Sequence, residues 1–104
     1  MLIVNTTYQV AEACETAWKN WVKTVYIQAV TKTGQLVNPR LYSLMVEEEP
    51  GTKHYALQFE VADAATLEDW FECEGKPLQQ FMGSEFSDQV LGFTTLMENL
   101  PLEA

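Results

Sequence analysis

From His54 to Val61 the chain alternates. Tyr55, Leu57, Phe59 and Val61 are large and apolar, whereas His54, Ala56, Gln58 and Glu60 are small or polar. A period of two predicts a strand with one buried face. A one-residue slip would turn four large apolar side chains to water, so the register is firmly set. Leu2 to Val10 reads as an earlier strand of the same kind. Leu2, Val4, Thr6, Tyr8 and Val10 lie on one side, and Ile3, Asn5, Thr7 and Gln9 on the other. Between these strands, from Ala11 to about Thr31, the period becomes helical. Cys14, Ala17, Trp18, Trp21, Val22, Val25 and Val30 form a broad apolar stripe, and Gly34 is placed to end the helix as a left-handed cap.

Asn38-Pro39 then reads as the close of a loop, and Arg40 to Glu47 as a second strand with weaker alternation. Tyr42, Leu44 and Val46 fall on one side, and Leu41, Ser43 and Met45 on the other. Residues 48–52 carry hairpin-turn chemistry leading into the His54 strand. Asp63 or Thr66 can cap a second helix with Leu67, Trp70 and Phe71 on its apolar face. Gly75 is expected to interrupt that helix and Pro77 to restart it as far as about Asp88. Val90 to Glu98 reads as the last strand, with Leu91, Phe93, Thr95 and Met97 inward and Gly92, Thr94 and Leu96 outward. Residues 1–100 are expected to form a single α+β domain, with 101–104 as a tail.

The order β-α-β-β-α-β is that of a ferredoxin-like sandwich: a four-stranded antiparallel sheet with helices on one face. Two helices cover only that one face, so the other is polar or is covered by another copy. The uncovered side is expected to carry Asn5, Thr7, Gln9, His54, Gln58 and Glu60, joined by Thr94 and by Arg40 or Ser43. Ile3, Ala56 and Leu96 are interspersed with them. Such a mixture suits a second subunit enclosing a small cavity better than bare solvent.

Charge narrows the partners. The chain has 104 residues and a net charge of −9. The first 52 residues balance to −1 and the remainder to −8, with only Lys53 and Lys76 against ten acids. Phosphate backbones and anionic lipid are repelled by such a surface, so neither nucleic acid nor membrane is expected as a partner. No apolar run reaches the ~20 residues that span a bilayer. The N-terminus lacks the basic, longer apolar segment of a signal peptide, which implies a cytoplasmic protein with Cys14 and Cys73 reduced and buried.

Chemistry-bearing motifs are sparse. No Gly-x-Ser-x-Gly elbow, phosphate loop or multi-histidine set is present, and His54 is the sole histidine, so no metal and no cofactor is expected. The Glu47-Glu48-Glu49 run lacks the Asp/Asn and Gly spacing of a calcium loop and reads as a solvated hairpin tip. As a candidate catalytic residue His54 can act as a general base, since imidazole chemistry suits proton transfer near neutral pH; otherwise it is a bystander beside the hairpin. Asn5, Thr7 and Gln58 can bind a carbonyl or carboxylate, or simply pair across strands. Arg40 is the anion-binding candidate, or else a surface ion-pair partner.

Across nearly its full length the chain resembles a family of small bacterial proteins defined by a domain of unknown function, family 4286. The resemblance lies in Ile3-Val4-Asn5-Thr6-Thr7-Tyr8, Pro39-Arg40-Leu41, Glu47-Glu48-Glu49, Tyr55-Ala56-Leu57-Gln58-Phe59-Glu60-Val61 and Gly92-Phe93-Thr94-Thr95-Leu96-Met97-Glu98. It implies a ferredoxin-like layout related to dimeric α+β barrels, a group with cofactor-free oxygenases and simple ligand binders, and it assigns no catalytic residue. Three functions remain open: a homodimer with a small-ligand site on or between its sheet faces; a cofactor-free oxygenase or isomerase using His54; and an acidic module that holds a basic protein.

Overall fold

Four strands and two helices follow one another in the order that the periodicities predict, in a computed structural model describing residues 1–45 and 50–103. The strands are β1 (Leu2–Ala11), β2 (Leu36–Ser43), β3 (Thr52–Val61) and β4 (Val90–Glu98). They form one antiparallel sheet in the order β2-β3-β1-β4. A 3-10 turn, Glu12–Cys14, leads into helix α1 (residues 15–31); helix α2 spans residues 64–86. Each helix contains one wide π turn, at Val22–Tyr26 in α1 and Phe71–Gly75 in α2, and in each a tryptophan immediately precedes it. This is the β-α-β-β-α-β ferredoxin-like sandwich expected from the sequence.

Both helices lie on one side of the sheet. The core joins Val4, Tyr8 and Val10 of β1 and Tyr55, Leu57, Phe59 and Val61 of β3 to Trp18, Val22, Val30, Trp70 and Phe86 of the helices. Trp18 is fully buried, with its ring 5.0 Å from Tyr8 and 5.4 Å from Tyr55. Trp18 is therefore core, as its place in the helical stripe implies. Replacing so central an aromatic by alanine costs about 3–5 kcal/mol. At the helix ends, local chemistry acts as read. The Asp63 carboxylate accepts the Thr66 N–H at 2.8 Å and caps α2, and Gly34, at φ 78°, ends α1 with its N–H on the Thr31 carbonyl.

Four details differ from the sequence reading. β2 begins at Leu36, so Asn38 and Pro39 lie inside the strand. Gly75 does not interrupt α2: the chain passes through the wide turn, and Pro77, which has no N–H to donate, falls in the first turn after it. Cys73 is exposed rather than buried, while Cys14 is buried as expected; both are free thiols. Finally, the two sides of β4 are exchanged. Gly92 lies opposite Tyr8 and Leu96 opposite Val4, so Gly92, Thr94 and Leu96 share the helix side. Leu91, Phe93, Thr95 and Met97 look out from the open face. The reason is steric: a Cβ at Gly92 would lie 2.8 Å from the Tyr8 ring, so only glycine fits over that core tyrosine. The hairpin-tip glutamates and Val46 lie outside the described residues.

Candidate functional site: the open face of the sheet

Antiparallel registers fix which side chains share the open face. Reading from β4 through β1 and β3 to β2, one row is Thr95, Asn5, Gln58 and Arg40. The next is Phe93, Thr7, Ala56 and Tyr42. Beyond it lie Leu91, Gln9 and His54, and on the other flank Met97, Ile3, Glu60 and Val37. The expected placement of Asn5, Thr7, Gln9, His54, Gln58 and Glu60 away from the helices therefore holds. Thr94 does not belong with them: its hydroxyl meets that of Thr6 at 2.9 Å on the helix side. Ser43 is likewise registered with the core residue Tyr55.

Three of the candidate residues form one hydrogen-bonded track. The Gln58 amide donates to Asn5 Oδ1 at 3.1 Å, and the Asn5 amide donates to Thr7 Oγ1 at 3.4 Å. At the β2 end of the same row stands Arg40, brought there by a backbone irregularity. Val37 pairs with Glu60 and Arg40 with Gln58, so three steps on β2 match two on β3. The extra residue is a β-bulge at Asn38, whose φ is 53°. Asparagine is among the few side chains that tolerate this left-handed conformation. Without the bulge, simple alternation from the buried Leu36 would carry Arg40 inward. With it, Arg40 faces out and Leu41 turns toward the core. Opposite parity of Leu36 and Leu41 around Asn-Pro is the signal that sequence reasoning missed.

Two cavities open on this face. The larger, of about 300 Å³, is lined by Ile3, Asn38, Arg40, Gln58, Glu60 and Asn99, among others. A smaller one, about 150 Å³, is bounded by Thr7, Gln9, His54, Leu91 and Phe93. His54 and Gln58 are four residues apart on β3, or roughly 13 Å, so His54 and Arg40 serve different cavities. A larger hollow, about 500 Å³, lies elsewhere, between α2 and the helix side of β4, where Leu67, Trp70, Phe71 and Leu96 make it almost wholly apolar. It exists because β4 extends past the cover of the helices.

Burial pushes the Cys14 thiol up, away from the thiolate form. Burial also raises Tyr8 well above the ordinary phenol range, helped by the neighbouring Tyr26, and raises Tyr26 itself, so both phenols are core groups and stay protonated. Among the described residues no group of three or more His, Cys, Asp or Glu side chains gathers as a metal site.

Comparison with known proteins agrees with this fold. Residues 1–100 match the family described as Domain of unknown function (DUF4286). The chain belongs to that family. Among curated proteins none matches it in sequence. Among solved structures it is similar to HapK from Hahella chejuensis, at 17% identity and a TM-score of 0.74 over 100% of this chain and 97% of that one. An antibiotic biosynthesis monooxygenase is similar at 22% identity and TM-score 0.62, over 97% and 100% of the two chains. So is a dimeric ferredoxin-like protein from an uncultured marine organism, at 13% and 0.59, over 97% of each. At these identities the likeness is one of fold, which this DUF4286 member shares. No described helix is long and apolar enough to cross a membrane.

Proposed function

We propose that this chain forms a homodimer through its open sheet faces and holds a small ligand on the Asn5–Gln58–Arg40 row between them. The observation that carries this is the composition of that face. A hydrogen-bonded polar track runs down its middle, and along β4 stand Leu91 and Phe93, 56% and 66% exposed, with Met97 beside them. Apolar side chains of that size, grouped on one strand, suit contact with protein rather than water. A fold-mate described as dimeric supports the same assembly. Light scattering coupled to size exclusion should give twice the chain mass at micromolar concentration; a monomer there removes the dimer. Native mass spectrometry of the gently purified protein should show an added small mass, lost in the Asn5→Ala, Gln58→Ala double variant.

A second reading, a cofactor-free oxygenase or isomerase with His54 as base, is favoured by one feature. His54 lines a cavity with Thr7 and Phe93, and one fold-mate is described as a monooxygenase. It predicts that a co-purified ligand is chemically altered on standing in air and that His54→Ala abolishes the change. Recovery of the ligand unaltered from the native protein counts against it.

A further inference from the structure

The cavity at the β2 end of the open face brings two opposite charges together without joining them. Arg40 and Glu60 both line it, yet among the described residues Arg40 makes no ion pair. Three lysines are engaged: Lys32 with Glu74 at 3.3 Å, Lys76 with Glu72 at 2.8 Å, and Lys19 over the Tyr55 ring at 5.7 Å. Among the described residues Arg40, like Lys23, has no such partner, and of the two it is Arg40 that lines this cavity. The Glu60 carboxylate accepts the Asn38 amide at 2.9 Å. Asn38 therefore acts twice. Its left-handed backbone carries Arg40 to the open face, and its side chain holds Glu60 in place.

We infer that this cavity takes a small zwitterion of the α-amino-acid kind, its carboxylate on Arg40 and its ammonium on Glu60. The inference builds on the ligand-binding face proposed above and names the ligand's class. Elimination by charge leads there. A plain anion would meet Glu60 inside an already acidic molecule, and a plain cation would meet Arg40. A neutral ligand would leave both charges unused. A zwitterion engages both, and an arginine fork matches a carboxylate in shape. The amides of Asn38, Gln58 and Asn99 supply donors and acceptors around the rim, while Ile3 offers apolar contact to the ligand's carbon skeleton. The volume, about 300 Å³, is at the small end of ligand pockets.

The test uses the full chain, with its side-chain amide signals assigned by NMR, and titrates phenylalanine against 3-phenylpropionate and phenethylamine. These two probes each lack one of the charges. Phenylalanine should move the Asn38 and Gln58 amide signals, and each singly charged probe should bind about tenfold more weakly, as expected for one lost charge-assisted contact. Arg40→Gln should erase the preference over phenethylamine, and Glu60→Gln the preference over 3-phenylpropionate. Asn38→Gly, which keeps the left-handed backbone but frees Glu60 to pair with Arg40, should weaken phenylalanine as well. If 3-phenylpropionate binds as tightly as phenylalanine, or the preference over 3-phenylpropionate survives Glu60→Gln, the zwitterion assignment is overturned while the ligand-binding face stands. If no probe moves Asn5, Gln58 or Asn38 at about 10 mM, a concentration that detects very weak binding, both fall.

Discussion

Gly92 and Asn38 show how single residues decide what this sheet presents. Gly92 sits over the ring of Tyr8, where an added Cβ would come within 2.8 Å of Cδ1. The alternation of β4 alone assigns Leu91, Phe93 and Met97 to the core, because they are the larger apolar set. The glycine selects the other register by admitting the tyrosine. Gly92→Ala should therefore cost about 1–3 kcal/mol through overpacking, read as a lower urea midpoint at unchanged slope. At Asn38, with φ 53°, alanine should be less stable than glycine by about 1 kcal/mol, since only the Cβ opposes this conformation. Equal midpoints for the two Asn38 variants would mean that the bulge relaxes and Arg40 leaves the face. Neither position stands out in composition; each matters through what lies across from it.

Among the elements, α2 shows local chemistry acting as the sequence suggests and a wider context altering it. Asp63 caps the helix by accepting the Thr66 N–H, and that bond holds its carboxyl below the ordinary carboxylate range. A depressed pKa stabilises the fold above the unfolded value and loses that stabilisation as pH falls through the folded one. The gap in melting temperature between the parent and Asp63→Ala should therefore be a few degrees at pH 7 and should close as pH drops below about 4. A gap that persists in strong acid would assign the effect to something other than the charged cap. Further along, Gly75 and Pro77 look like a break. Packing keeps the helix whole through the π turn, where Trp70 and Phe71 lie against Gly75 closely enough that a Cβ there would come within 2.7 Å of the Trp70 ring. Propensity lost to tertiary contact at that point.

For the whole molecule, the decisive property is a sheet with one covered face and one open one. The open face's β4 side is apolar, its middle is a polar track, and its β2 end carries the Arg40–Glu60 cavity. If the chain dimerises through this face as proposed, Phe93→Asp should give a monomer in light scattering while leaving the far-ultraviolet circular dichroism unchanged, because that side chain is two-thirds exposed within the chain. A variant that stays dimeric would move the interface off this face. The element order, the ferredoxin-like class, the core faces of β1 and β3 and the outward grouping of Asn5, Thr7 and Gln58 were legible in the sequence. Each follows from a period of two or 3.6 carried over many residues, and a long pattern outvotes local exceptions. The sidedness of β4, the continuity of α2 and the bulge that puts Arg40 rather than Ser43 on the open face were decided only in three dimensions. They turn on single-residue events, a glycine beneath a ring, a widened turn and one extra residue in a strand, whose effect depends on partners dozens of positions away.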